Sequence, residues 1–309
     1  MAKYLVTGGA GFIGCNIVKT LLERNQEVRV LDNFSTGRRE NLLPFQKDIE
    51  LIEGDIRSYH TTIKAVKGVD FVLHQAALPS VPRSIYDPIT TNEVNINGTL
   101  NLLHAAVDAD VQRFVYASSS SVYGDSPVSP KHEDLTPNPK SPYAVSKLAG
   151  EYYCKVFHQI YGLQTVCLRY FNVFGPRQNP HSQYSAVIPK FLKLMLNNQP
   201  PTIYGDGTQS RDFTYVDNNV EANLLACTKE NVAGKVYNIA CGTNFTLLEL
   251  VRTLNEITGK NISPVHTEKR SGDIMHSLAD IQKAQKDLGY QVKVSFKEGL
   301  SLLVQNFEK

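Results

Sequence analysis

Short apolar, β-rich runs alternate with helix-period segments through the first part of the chain. The runs are Tyr4–Thr7, Val28–Asp32, Ile49–Asp55, Val69–His74, Phe114–Ser118 and Thr165–Phe171. Between the first two, Ile13, Ile17, Leu21 and Leu22 fall on one helical face, and Val94, Leu100, Leu103 and Val107 mark a long helix before the fifth strand. Strands alternating with helices predict right-handed βαβ units and an α/β, doubly wound parallel sheet. After Gly175 the rhythm changes. Residues 175–181 read as a loop, a helix is expected near Val187–Leu196, and Gly205-Asp206-Gly207 marks a turn. Thr246 with Glu249, and Ser295 with Glu298, have the spacing of capping boxes that start two more helices. The expected division is residues 1–175 as the sheet domain and 176–309 as mainly a smaller C-terminal α/β lobe, with part of the later chain returning to the first domain.

Composition narrows the function classes. Of 309 residues, 42% are hydrophobic and 20% charged, which is globular rather than disordered. The net charge of +2, from 32 basic and 30 acidic residues, gives no field to attract nucleic acid or an anionic membrane. No run approaches the roughly 20 apolar residues of a membrane span. Met1 leads directly into the first strand without the features of a signal peptide. Cys15, Cys154, Cys167, Cys227 and Cys241 are scattered and make no CxxC pair, so neither a disulfide framework nor a metal site is expected. These features place the chain in a reducing cytoplasm.

The sharpest local signal is Thr7-Gly8-Gly9-Ala10-Gly11-Phe12-Ile13-Gly14, after the first strand and opening the first helix. Gly8, Gly11 and Gly14 allow a tight turn and close approach of backbone N–H groups to a pyrophosphate at the helix N-terminus. Asp32 ends the second strand, where an acid accepts hydrogen bonds from ribose hydroxyls and repels a 2′-phosphate. The pair predicts a Rossmann-type dinucleotide site that takes NAD rather than NADP, although Arg38 and Arg39 stand near enough in sequence to serve a phosphate. Asp55 and Ile56 end the third strand, where they would bracket the adenine.

A second constellation carries chemistry. Tyr143 and Lys147 are spaced i, i+4 and share a helix face. An ammonium beside a phenol favours the phenolate, and a bound oxidised nicotinamide adds positive charge, so the tyrosine would serve as a general base near neutral pH. Upstream, Ser118-Ser119-Ser120-Ser121-Val122-Tyr123-Gly124 sets a hydroxyl at a strand end, where it would hydrogen-bond the oxygen that Tyr143 deprotonates.

With these motifs the sequence resembles the extended short-chain dehydrogenase/reductases, and within them the nucleotide-sugar 4-epimerases acting on UDP-N-acetylglucosamine or UDP-glucose. Further matching segments are His74–Ala77, Asn95–Thr99, Ser141–Lys147, Leu168–Gly175, Ile203–Gly207, Ser210–Phe213 and Arg270–Asp273, so the likeness spans essentially the whole chain. It implies Tyr143 as base, Lys147 as its partner and Ser119 as the third catalytic group. It implies cofactor contacts at Gly8, Gly11, Phe12, Ile13, Gly14, Asp32, Asn33, Asp55, Ile56, Gln75, Ala76, Ala77, Asn95 and Phe171. It implies substrate contacts at Ser80, Arg83, Ser120, Ser121, Asn172, Val187, Tyr204, Arg211, Arg270, Asp273 and Ser277, with Asn172, Arg211, Arg270 and Asp273 on the UDP part. It also implies a homodimer through the segments near 88–108 and 141–161.

Two positions bear on the reaction. Related 4,6-dehydratases carry acids where this chain has Ser120 and Ser121, which disfavours elimination. Ser277 stands where epimerases restricted to unsubstituted hexoses carry a tyrosine, leaving room for a 2-acetamido group. The expected activity is NAD-dependent 4-epimerisation of UDP-N-acetylglucosamine/UDP-N-acetylgalactosamine and of UDP-glucose/UDP-galactose through a 4-keto intermediate. UDP-glucuronate 4-epimerisation is the alternative, and 4,6-dehydration a more distant one.

Overall fold

Seven strands form the central sheet of the computed structural model, which describes residues 1–179, 186–269 and 275–307. In chain order the elements up to the catalytic helix are β1 (Lys3–Thr7), α1 (Phe12–Glu23), β2 (Glu27–Asp32), β3 (Ile49–Glu53), α2 (Tyr59–Val66), β4 (Phe71–His74), α3 (Val81–Tyr86), α4 (Pro88–Asn92), α5 (Gly98–Asp108), β5 (Arg113–Ser119) and α6 (Pro142–Tyr161). There follow β6 (Thr165–Tyr170), β7 (Val173–Phe174), α7 (Val187–Leu196), β8 (Thr202–Tyr204), β9 (Ser210–Arg211), β10 (Thr214–Tyr215), α8 (Val216–Thr228) and β11 (Lys235–Ile239). The chain closes with β12 (Phe245–Thr246), α9 (Leu247–Thr258), β13 (Val265–Thr267), α10 (Gln282–Leu288) and α11 (Phe296–Phe307).

The sheet order is β11-β6-β5-β4-β1-β2-β3, and every pairing is parallel. Strand order reverses between β1 and β4, whose last residues Thr7 and His74 are register partners. In such sheets ligands bind beyond the carboxyl ends at the reversal. The strands are apolar along their length because both faces are covered. One core lies under α2, α5 and α6, with Val66, Leu102, Leu103 and Phe157. The other lies under α1 and α8 and runs on into the C-terminal lobe through Ile17, Leu21, Val220 and Phe296.

Several details depart from the sequence expectation. β3 stops at Glu53 and β6 at Tyr170, so Asp55 and Phe171 sit on the turns that follow. The long helix before β5 is interrupted by a π-helical turn, Glu93–Asn97, between α4 and α5. A single π turn leaves helical backbone on both sides, so a count of apolar positions over the segment reads as one helix and does not reveal it. The seventh strand, β11, was not read from the sequence; it follows the lobe's first elements and pairs with β6 from Lys235↔Val166 to Ile239↔Tyr170. The Thr246 capping box has both reciprocal bonds, Glu249 N to Thr246 Oγ1 at 3.1 Å and Thr246 N to Glu249 Oε2 at 2.7 Å. At the second box the Glu298 N–H donates to Ser295 Oγ at 3.3 Å. Four of the five cysteines are buried and Cys241 is half-buried, all as free thiols.

Candidate active site

The carboxyl edge of the sheet opens into one cleft of about 1020 Å³. At its nucleotide end is the glycine turn. Gly8 has φ +69°, and a Cβ there would stand 2.8 Å from the Ala76 backbone; one on Gly14 would stand 2.1 Å from the Gly8 carbonyl oxygen. Between them Ala10 is the fastening point. Its N–H donates to Asp32 Oδ2 at 2.9 Å, and its carbonyl accepts from Arg38 N at 3.0 Å and Asn41 Nδ2 at 2.8 Å. Asp32 also accepts from Phe34 N through Oδ1 at 2.8 Å. Burial pushes its carboxyl up, and the backbone N–H groups pull it down. Asp55 is held below the usual carboxylate range, first by the Arg57 guanidinium, and Asn33 Nδ2 donates to it at 2.8 Å. Gly8, Gly11, Phe12, Ile13, Gly14, Asp32, Asn33, Asp55, Ile56, Gln75, Ala76 and Ala77 all line this end. A side-chain-free turn at a helix N-terminus, with an acid on the next strand, fits a dinucleotide's pyrophosphate and ribose. Arg38 joins the wall, whereas Arg39 turns away to Glu53 at 2.5 Å and over the Phe34 ring at 3.9 Å.

At the centre of the cleft stand Ser119, Tyr143, Lys147 and the fully buried Phe171. Ser119 ends β5 and caps the following turn, accepting from Ser121 N at 3.2 Å. α6 begins with Ser141 as N-cap and Pro142 in its first turn. The Tyr143 N–H donates to Ser84 Oγ at 3.1 Å, tying the helix start to α3. One turn on, Lys147 Nζ donates to the Ala117 carbonyl at 2.8 Å and lies 5.0 Å from the Tyr116 ring centroid. Burial pulls its ammonium down to about 8. The phenol behaves differently from the sequence expectation: burial pushes Tyr143 above its ordinary value, and the opposing influence is the neighbouring Ser119 hydroxyl. Lys147 is engaged with a backbone carbonyl, so further positive charge at the nicotinamide position is what would draw the phenol down.

The substrate end is lined by Ser80, Arg83, Ser120, Ser121, Asn172, Arg211 and Ser277. Asn172 takes φ +30°, a left-handed conformation tolerated by Asn. Arg211 is aimed by bonds from Nη1 to the Ser210 carbonyl at 2.9 Å and the Met275 carbonyl at 3.3 Å. Arg270 and Asp273 lie outside the described residues. Asn95, Val187 and Tyr204 are not in the described wall. Asn95 is buried in the π-helical turn, where it holds Leu78 N at 2.8 Å and donates to Ser146 Oγ at 3.0 Å; it braces the loop behind the cofactor end. Val187 opens α7 and packs against the core, leaving Ala186 in the wall, and Tyr204 ends the edge strand β8, paired to Thr267. The wall also includes Tyr123, Lys131, Arg177 and His276, which sequence reasoning did not assign. Tyr123 lies inside the serine-rich motif and His276 beside Ser277, so adjacency could have found them. Lys131 and Arg177 sit on loops without a local signature.

Residues 4–240 match the NAD dependent epimerase/dehydratase family. The chain belongs to that family. It thereby has NAD as its cofactor, a group whose pyrophosphate and ribose the glycine turn and Asp32 suit. A putative UDP-glucose 4-epimerase of Methanocaldococcus jannaschii is 38% identical over 302 residues, covering 97% of this chain and 96% of that protein. The UDP-N-acetylglucosamine 4-epimerase of Methanobrevibacter ruminantium M1, solved in complex with UDP-N-acetylmuramic acid, superposes with a TM-score of 0.95 at 40% identity, covering 99% and 98% of the two chains. The UDP-glucuronic acid 4-epimerase of Bacillus cereus, solved with UDP-glucuronic acid and NAD, gives 0.90 at 35% identity and covers 99% of each chain. Among the described residues no helix of this family member is long and apolar enough to cross a membrane.

Proposed function

We propose that the protein is a UDP-sugar 4-epimerase that interconverts UDP-N-acetylglucosamine with UDP-N-acetylgalactosamine, and UDP-glucose with UDP-galactose. The observation that carries this reading is the meeting of Tyr143, Ser119 and Lys147 in a cleft continuous with the dinucleotide cradle. Bound in that cradle, NAD supplies a reversible hydride acceptor for C4 of the sugar. Tyr143 takes the proton of the 4-hydroxyl, and Ser119 hydrogen-bonds the same oxygen as it becomes a carbonyl. The 4-keto sugar stays tethered through its UDP, held by Asn172 and Arg211, and presents its other face before Tyr143 returns the proton. A cation with a forked donor set suits a diphosphate, so Arg211 belongs at the anchor rather than at the sugar.

Elimination chemistry is disfavoured by the wall itself. Among its described residues the carboxylates are Asp32 and Asp55, both on the nucleotide side, and Ser120 and Ser121 occupy the positions beside Ser119. Ser277 is small and 9% exposed at the substrate end, which supports a 2-acetamido sugar. UDP-glucuronate is the second reading, favoured by Arg83, which adds a cation to the wall near Ser80.

The deciding experiment is NMR product analysis after incubation with UDP-N-acetylglucosamine, UDP-glucose and UDP-glucuronate in parallel. Formation of UDP-N-acetylgalactosamine is the expected result. Conversion of UDP-glucose alone would keep the mechanism and overturn the role given to Ser277. Conversion of UDP-glucuronate alone would establish the second reading.

A further inference from the structure

Tyr143 and Lys147 are followed on the same face of α6, one turn later, by Glu151. Its carboxylate is 5% exposed and belongs to no surface ion pair. Arg169 of β6 grips it with a fork, Nε to Oε1 at 2.9 Å and Nη2 to Oε2 at 2.7 Å. Ser118, the residue before Ser119, donates its hydroxyl to Oε1. Arg169 in turn lies over the Tyr123 ring at 4.7 Å, and the Tyr123 hydroxyl donates to Asn238 of β11 at 2.7 Å. A buried ion pair contributes little net stability compared with apolar packing of the same volume, and here Arg169 Nη1 is left buried without a hydrogen-bond partner. The pair's position directly behind the proton-transfer groups calls for another reason.

We propose that Glu151 is a positioning residue for the reaction, holding Lys147 protonated behind Tyr143 and, through Ser118, fixing the strand end that carries Ser119. The proposal rests on the reading of Tyr143 and Lys147 as the proton-transfer pair. The charges around Lys147 can be taken element by element. On α6 they are Tyr143, Glu151 and the thiol of Cys154. On β5 Lys147 meets the Ala117 carbonyl and the face of Tyr116, and on β4 the neutral ring of His74. On β6 stand Arg169 and Cys167. Among these groups Glu151 is the carboxylate, in an ion pair with Arg169 at 2.7 Å. Burial drives Lys147 toward the neutral amine, and the Cys154 thiol and the Glu151 carboxylate oppose it. Arg169 provides the countercharge that lets a carboxylate occupy this depth. Its fork also sets the carboxylate's orientation toward Ser118. A neutral amine at Lys147 would no longer favour a phenolate at Tyr143, so loss of the Glu151 charge should narrow the pH range of activity from the alkaline side.

The test is direct titration of Lys147 by NMR in protein carrying ¹³C at the lysine ε position, with the resonance assigned by Lys147→Arg. It is run on the wild type and on two variants that remove the carboxylate and keep Arg169, Glu151→Gln and Glu151→Met. The alkaline limb of kcat/KM for UDP-N-acetylglucosamine is recorded alongside. The expected result is a Lys147 midpoint lower by about half a pH unit or more in the variants, with the alkaline limb moving the same way and KM little changed. Restoration of the midpoint in Glu151→Asp supports charge rather than shape as the cause. An unmoved midpoint in either folded variant overturns the proposal. A lowered midpoint with an unmoved rate profile overturns the role in the reaction and points to failure of the Tyr143–Lys147 reading itself, because the titration needs no substrate.

Discussion

Tyr143 is held between opposing influences, and this makes its role measurable. Its phenol is raised by burial and relieved by Ser119, so the ionised form depends on positive charge brought close to it. Tyr143→Phe removes the proton acceptor while leaving the ring in place. Turnover should fall by about a thousand-fold or more, within the range of general acid–base catalysis, while NAD binding and the thermal midpoint stay near wild type. Activity within ten-fold of wild type, measured on the same substrate, would remove Tyr143 from the role of base. His74 shows the opposite kind of titration. It is buried at the end of β4, with Thr7 Oγ1 at 2.7 Å from Nδ1 and Thr99 Oγ1 at 2.9 Å from Nε2. Burial, reinforced by the charge of Lys147, holds its imidazole down at about 3. The folded pKa is depressed below the unfolded one, so between these two values the unfolded chain binds the extra proton and stability falls as pH falls. The contribution is complete at neutral pH and declines by about 1.4 kcal/mol per unit below roughly pH 6.5. Urea denaturation at pH 7 and pH 5 should show this loss in the wild type and a visibly shallower one in His74→Gln. Equal slopes in the two proteins would assign the acid sensitivity elsewhere.

The catalytic helix shows how an element carries a site. α6 lies against β5 at Gly150, where a Cβ would stand 2.2 Å from the Tyr116 hydroxyl oxygen and 2.4 Å from its ring. Tyr116 is fully buried and its hydroxyl points back to the Lys147 carbonyl at 3.4 Å, so it has nowhere to retreat. Gly150→Ala should push α6 outward, costing about 1–3 kcal/mol from overpacking. It should lower kcat more than it raises KM, because Lys147 and Tyr143 move with the helix while Arg211 and Asn172 do not. A thermal melt and a kinetic comparison check both parts, and a variant as stable and active as wild type would show that the contact yields cheaply. This helix was legible in the sequence from Tyr143 and Lys147 at i, i+4; the Ser141 cap with Pro142, and the left-handed Gly162 that ends it, are equally local signals that the structure adds. The glycine turn and the strands β1 to β6 were legible because their signals too are local. β11 was not, because its parallel pairing with β6 joins residues some 70 positions apart (Lys235 with Val166) and leaves no local pattern. Asn95 lies buried in the π-helical turn and holds Leu78 N, and it is absent from the described wall. Lys131 and Arg177 escaped because only the tertiary fold brings their loops to the wall.

At the scale of the whole molecule, the face of α6 opposite Tyr143 and Lys147 remains to be accounted for. Val145, Tyr152, Val156 and Ile160 fall within about 80° of one another around a helix of 3.6 residues per turn, and all are exposed, Ile160 by 71%. Beside them α3 and α4 present Ile85, Tyr86 and Ile89, the last two exposed by 89% and 72%. Exposed apolar side chains gathered on α6 and on α3 and α4 packed beside it are unfavourable in water and mark an interaction surface. A second copy of the chain meeting it about a two-fold axis would bury the same face on both partners, as isologous dimers do. We propose that the protein is a homodimer through this face. The dimer would stiffen α6 from the side opposite the cleft and so link assembly to the precision of the Tyr143–Ser119 pair. Tyr152→Glu combined with Ile160→Asp places two carboxylates in the apolar stripe without touching the cleft wall. Sedimentation equilibrium should show the wild type as a dimer at micromolar concentration and the variant as a folded monomer with reduced turnover. A wild type that sediments as a monomer, or a variant that remains dimeric, would move the association to another surface or remove it. A monomeric variant with unchanged turnover would leave the dimer in place while showing that the active site is complete within one chain.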